Sequence, residues 1–290
     1  MERCLVRTCL PYQKDIIQSL PKRRCKMLIL LIGSIDYAKE IQLTSISRLI
    51  DELTRLETIK TWSLIVTLFG DLDNDNQVRL SGKDIKSILA HIGIKPEAVR
   101  VALHRLKKQG WIITEKSGRE VLYFLSRRGL AETAAVYNDV YSPMVKYPNG
   151  WRLVLQEGEP MLGGIRLSRN LAIFPKDFAF SSEKAVALKF TDKILPNWLE
   201  NQIVASPTLA LARHLEILLN NHKFILETLS PLDEIAIRLL FLHRWRKLAL
   251  RTAVWAHIGL FENGSLAKCH QGITSWLAGT PKLTTLLLKR

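Results

Sequence analysis

Residues 93–112 read Gly93-Ile94-Lys95-Pro96-Glu97-Ala98-Val99-Arg100-Val101-Ala102-Leu103-His104-Arg105-Leu106-Lys107-Lys108-Gln109-Gly110-Trp111-Ile112. Pro96 suits the first position of a helix, where its missing N–H has no intrahelical partner to lose and its fixed φ is already helical. Behind it Val99, Ala102, Leu103 and Leu106 recur at i, i+3, i+4 and i+7, which is one apolar helix face. The other face carries Arg100, His104, Lys107 and Lys108. Gly93 and Gly110 bracket the segment, so the pattern predicts a helix from Pro96 to about Gln109.

Downstream the apolar period changes to that of a strand. Trp111-Ile112-Ile113-Thr114 and Val121-Leu122-Tyr123-Phe124-Leu125 flank Ser117-Gly118-Arg119, which predicts a β-hairpin with Arg119 at its tip. Upstream, Trp62, Leu64, Ile65, Leu68 and Phe69 describe a buried helix that stops at Gly70 and the polar run Asp71–Gln77. Ser81, with Asp84 three positions on, caps a second helix containing Ile85, Ile88, Leu89 and Ile92. Two short helices, a basic third helix and a hairpin, in that order, make a winged helix-turn-helix over residues 58–130.

Outside this unit the chain divides by pattern. Residues 1–57 form an N-terminal extension with one amphipathic helix from Thr44, marked by Ile46, Leu49, Ile50, Leu53 and Leu56. Residues 131–150 read as a linker helix to about Tyr141 followed by a Pro- and Gly-containing linker. In residues 151–193, Trp151–Leu155, Asn170–Phe174 and Ala185–Phe190 are strand-like and predict a small central α/β unit. Residues 194–290 show helical stripes, Leu211, Leu215, Leu218, Leu219 and then Ile235, Leu239, Leu242, Trp245, and predict a helical C-terminal domain. The expected fold class is α+β.

Apolar residues make up 47% of the 290 and charged residues 24%, an ordinary globular balance that excludes wholesale disorder. The net charge of +15 points to a polyanionic partner, nucleic acid ahead of a membrane surface. The apolar run Met27–Gly33 is too short to span a bilayer and reads as a buried strand. Cys4, Cys9, Cys25 and Cys269 lack the spacing of a metal site and read as free thiols of a reducing cytoplasm. Asp71, Asp73 and Asp75 alternate as in a calcium loop, but Gly82 stands where a bidentate Glu is required, so the run reads as a polar turn. No nucleotide-binding, nucleophile-elbow or zinc-protease motif is present, and no catalytic, cofactor or metal-binding residue is assigned.

Lys95–Arg119 holds seven basic residues (Lys95, Arg100, Arg105, Lys107, Lys108, Lys116, Arg119) against two acidic ones (Glu97, Glu115). A reader of duplex DNA needs cations for phosphates and polar side chains for base edges. Lys95, Glu97, Arg100 and His104 are the candidates for base contact, with Val101 for a thymine methyl group. Arg105, Lys108, Lys116 and Arg119 are candidates for the backbone, Arg119 also for the minor groove. A second basic cluster, His243-Arg244-Trp245-Arg246-Lys247-Leu248-Ala249-Leu250-Arg251, puts Arg244, Lys247 and Arg251 on one helix face. With His243, that face is a candidate for an anionic effector such as the phosphates of a coenzyme A thioester. It equally suits pairing with a partner subunit, or a salt-bridged surface.

The stretches Ser63–Asp71, Gly93–Leu106, Gly110-Trp111-Ile112, Gly118-Arg119, Tyr123–Ser126 and Gly129 together resemble the PaaX-like transcriptional regulators. The resemblance continues more loosely through Trp151–Leu155 and His243–Arg251 to the end of the chain. It implies a cytoplasmic, homodimeric repressor of a catabolic operon that binds double-stranded operator DNA through the winged helix. It also implies release by a phenylacetyl-CoA-like thioester or a small acidic effector, and a ferredoxin-like central unit. That unit is shortened in this chain, since Leu155–Gly164 lacks the helix expected after its first strand. An alternative reading is a basic winged-helix scaffold that binds protein or RNA without effector control.

Overall fold

The computed structural model describes residues 45–72, 78–143, 150–158, 164–177, 185–190, 196–222, 229–251, 254–261 and 263–288. The chain divides into two compact units, residues 1–48 and 49–290. Met27–Gly33, Cys4, Cys9, Cys25 and the alternating Asp73 and Asp75 lie outside the described residues. The second unit mixes helices with two small antiparallel sheets and is α+β. It opens on a helical stretch, residues 49–55, that buries Leu49 and Leu53.

Helix α1 (Thr61–Asp71), α2 (Gly82–His91) and α3 (Pro96–Lys108) follow. Leu64, Ile65 and Leu68 of α1 are fully buried, a burial typically worth about 1.5–3 kcal/mol per side chain. Ser81 caps α2 as its spacing announces: its Oγ accepts from the Asp84 N–H at 3.1 Å. Strand β1 (Leu80–Ser81), β2 (Ile112–Ser117) and β3 (Glu120–Leu125) form a sheet of order β1-β3-β2. The hairpin registers Ile112 on Leu125 and Ser117 on Glu120, so Gly118 and Arg119 make a two-residue turn, with Gly118 at φ 58°. Strand β1 was not announced by any period, since its two residues are too few to show one.

Helix α4 (Arg127–Ala135) and α5 (Tyr137–Tyr141) replace the single helix expected to Tyr141, with the break at Val136. Gly129 lies so close to the first turn of the hairpin that a Cβ there would fall 2.3 Å from the Trp111 carbonyl oxygen. That contact accounts for glycine at this position.

The second sheet consists of β4 (Trp151–Gln156), β5 (Ile165–Arg166), β6 (Leu171–Pro175) and β7 (Ala185–Phe190), all antiparallel, in the order β5-β6-β4-β7. Three of its strands match the expected apolar runs. Among the described residues between 150 and 190 there is no helix, so the α part of the expected α/β unit is not found there. Helices flank the sheet instead from later in the chain: Leu199 and Ile203 of α6 (Asn197–Ile203), with Leu260 and Phe261 from farther along, pack around Ile165 and Ile173.

The remaining helices are α7 (Ser206–Asn221), α8 (Pro231–Ala249), α9 (Val254–Leu260), α10 (Ser265–Gly279) and α11 (Leu283–Leu288). Helix α8 is the hub: it packs against α1, α2, α5, α7, α10 and α11. Accordingly it buries residues on every side, with Ile235, Ile237, Leu239, Leu240, Phe241 and Trp245 all fully buried. Segments that sequence pattern separates, 58–130 and 194–290, thus share one packed interior through α1, α2 and α8. No helix among the described residues is long and apolar enough to cross a membrane.

Candidate nucleic-acid interface

Helix α3 has two unlike sides. Val99 and Leu106 are fully buried, and Ala102 and Leu103 nearly so, against α1 and α2. This is the face predicted from spacing. On the opposite side Glu97, Val101, His104 and Lys108 follow one another at i, i+4, i+7 and i+11, all exposed, with Val101 at 64% of its full exposure. Lys95 and Arg100 lie outside the buried face as well. Among the described residues, Lys95, Arg100, His104, Lys108, Lys116 and Arg119 form no ion pair.

One candidate, Arg105, and the neighbouring Lys107 stand apart from that group. The Arg105 guanidinium lies 5.6 Å from the centre of the Trp62 ring, a cation–π contact that ties the end of α3 to α1. Lys107 donates to Thr114 Oγ1 at 2.9 Å, which holds the hairpin against α3. The hairpin is further fixed by Arg79, a residue without a sequence signal, which pairs with Glu115 at 2.7 Å and sits 5.1 Å from the Phe124 ring centre. Of the two acidic residues counted between Lys95 and Arg119, Glu115 is therefore neutralised locally. Arg128 donates to the Gln109 carbonyl at 3.2 Å and anchors the C-terminal end of α3 to α4.

The second basic cluster is turned inward. Arg244 is fully buried, and its guanidinium donates to three carbonyls within and just after the helical stretch 49–55: Leu53 (2.8 Å), Thr54 (2.8 Å) and Glu57 (2.7 Å). A cation is favourable there, because the last carbonyls of a helix have no intrahelical donor. Glu57 in turn receives Lys247 at 2.8 Å and Arg251 at 3.1 Å, and Arg251 also donates to Thr208 Oγ1 at 2.8 Å. Against the upward push of burial, these two cations hold the Glu57 carboxyl below its ordinary range. His243 is buried with Nδ1 3.0 Å from Thr67 Oγ1, and burial together with the neighbouring Arg244 pushes its pKa down to about 3. Arg244, Lys247 and Arg251 do share a face, as expected. They meet the chain itself, since Glu57 and three carbonyls take most of their donors, while Arg244 Nη1 is left without a partner and Lys247 and Arg251 stay partly exposed.

Asp71, read from sequence as a turn residue, is buried at the end of α1. Arg238 of α8 grips it with Nε at 2.6 Å and Nη2 at 3.0 Å, and the Tyr141 hydroxyl donates to it at 2.8 Å. Burial and the Asp71 carboxylate raise the Tyr141 pKa well above its usual value. This tertiary grip explains why α1 runs through Gly70 rather than stopping there. Arg238 also donates to Thr280 Oγ1 at 2.6 Å, so one guanidinium joins α1 to the C-terminal helices.

Residues 60–129 match the family model described as PaaX-like protein. Over 97 residues the chain is 32% identical to the transcriptional repressor PaaX of Escherichia coli (strain K12), a stretch that covers 33% of this chain and 31% of that protein. The match thus spans about a third of the relative's length. Among solved structures, an uncharacterized protein from Mycobacterium tuberculosis is similar at a TM-score of 0.40 and 16% identity, covering 74% of this chain and 94% of that one. The matched segment contains α1, α2, α3 and the hairpin, the stretches that carry the resemblance in sequence.

Proposed function

We propose that this chain, whose residues 60–129 are PaaX-like, is a DNA-binding transcriptional repressor acting on a double-stranded operator. In this reading residues 58–130 are a winged helix-turn-helix, α3 enters the major groove, and the tip of the hairpin, Lys116 and Arg119, meets the backbone or minor groove. One observation carries it: the outward side of α3 presents exposed His104, Arg100 and Lys108 with no ion-pair partner among the described residues, on a helix whose other side is locked into the core. A rigid, half-buried helix fixes the backbone from which these side chains reach, which limits the ordering that base-edge readout requires. The repressor that the segment resembles supports the same reading.

The chain is taken to act as a homodimer in the cytoplasm, since paired half-sites are the usual match to a single recognition helix per subunit. Release by a small effector belongs to the proposal; on the His243–Arg251 face such an effector would compete with the internal contacts that Glu57 makes to Lys247 and Arg251. Fluorescence anisotropy with duplexes from upstream of the gene and with random duplexes of equal length, over a salt series, tests the reading. Tighter binding to the upstream duplex, weakened steeply by salt, is expected. Equal affinity for both duplexes, or preference for single-stranded RNA, would overturn it.

A further inference from the structure

Helices α7 and α10 line a cavity of about 490 Å³, within the roughly 300–1,000 Å³ usual for small-ligand sites. Its charged groups come from different helices: Glu216 from α7 and Lys268 from α10. They do not pair with each other, although ion pairs elsewhere in the fold close to 2.6 and 2.8 Å. Leu219 and the Trp276 ring supply apolar wall, and Gln271 adds an amide. Trp276 is braced by Phe241, ring centres 5.1 Å apart, while its indole N–H is buried without an acceptor.

The geometry points to a binding site for a small zwitterion with a flat apolar body, of the aromatic amino acid class: its carboxylate on Lys268, its ammonium on Glu216, and its ring against Trp276 and Leu219. The site is wired to the DNA-facing helices. Thr280 lines the cavity, donates from Oγ1 to the Trp276 carbonyl at 3.0 Å, and accepts from Arg238 at 2.6 Å. Arg238 holds Asp71 at the end of α1, and α1 is the bed on which α3 packs. A ligand that shifts Trp276 or Thr280 therefore acts on the anchor of α1. This coupling rests on the proposed DNA reading; the binding itself does not.

Calorimetry on the full chain with L-phenylalanine, 3-phenylpropionate (no ammonium) and 2-phenylethylamine (no carboxylate) decides the site. L-phenylalanine is expected to bind at least about tenfold tighter than either analogue, since each lost charge-assisted hydrogen bond is worth that much. Lys268→Met should abolish the advantage over 2-phenylethylamine, and Glu216→Gln the advantage over 3-phenylpropionate. Absence of heat with L-phenylalanine at ~5 mM, equal binding of an analogue, or unchanged discrimination in both variants would overturn the site. In parallel, anisotropy with the upstream duplex should show L-phenylalanine changing DNA affinity by more than about twofold. Binding without that change removes the coupling alone, and a chain that fails to bind DNA removes the repressor reading while calorimetry still decides the site.

Discussion

Helices α3 and α8 carry the same signal in sequence, arginine, lysine and histidine interleaved with apolar residues, and the fold uses them in opposite ways. On α3 the cations stand on one side and the apolar residues on the other, so burying the second exposes the first. Helix α8 is surrounded, and its Arg238, His243 and Arg244 are drawn inward with the leucines. A buried cation must find acceptors, and a buried imidazole a partner; these have a carboxylate, a threonine hydroxyl and the end of a helix. A basic cluster is thus a ligand-facing surface only where the helix beneath it has a dry side and a wet side.

If that contrast is right, substitutions on α8 should unfold the protein and substitutions on α3 should not. The largest effect on stability belongs to Asp71→Ala, which leaves Arg238 buried without its carboxylate. Breaking one half of a buried pair costs about 3–5 kcal/mol, to be read from denaturant midpoints. Replacing both partners at once, Asp71→Leu with Arg238→Met, should recover part of that loss. A loss from Asp71→Ala below about 1 kcal/mol would mean the pair is exposed to water in solution.

Arg244→Ala comes next, at about 2–4 kcal/mol, because the carbonyls of Leu53, Thr54 and Glu57 lose their donor together. Arg244→Lys should rescue little, since an ammonium cannot span three carbonyls as the planar guanidinium does. Were this cluster an effector site, Arg244→Ala would leave the thermal midpoint unchanged and alter ligand response alone.

The pH dependence of stability follows from His243. Its folded pKa, pushed down to about 3, lies below the ordinary histidine value, so the unfolded chain binds the proton more readily. Stability is complete above about pH 6.5 and is lost as pH falls toward 3, at up to about 1.4 kcal/mol per pH unit from this one group. His257, pushed down to about 4 by burial, adds in the upper part of the same window. Urea midpoints at pH 7, 6, 5 and 4 should therefore fall progressively, and His243→Asn should flatten the slope while lowering stability at pH 7.

Helix α3 was legible from end to end because everything that defines it is local: Pro96 at its start, Gly110 after its end and an unbroken apolar period between. The hairpin was legible for the same reason. Asp71 was not, since its partner stands 167 residues away and leaves no trace in the local pattern. The role of Arg244 was hidden likewise, because its acceptors are backbone carbonyls 187 to 191 residues distant, and a carbonyl has no letter in the sequence. The central sheet was legible as strands but not in its covering, which comes from α6 and from Leu260 and Phe261 rather than from helices of its own.

The smallest effects on stability, and the ones that bear most on function, are expected on the outward side of α3. Arg100→Ala and Lys108→Ala remove exposed side chains with no ion-pair partner among the described residues, so each should change stability by less than about 0.5 kcal/mol. Their effects on DNA should then separate. Arg100, near the start of α3, is proposed to read a base edge: its loss should cost about 1–3 kcal/mol at one operator position and relax the choice of base there. Lys108, in the last turn, is proposed to meet phosphate. Its loss should weaken upstream and random duplexes alike and lower the salt slope by about one. Equal losses on both duplexes from both substitutions would mean that α3 supplies charge without reading sequence, and specificity would then have to come from the hairpin tip at Lys116 and Arg119 or from the shape of the DNA itself.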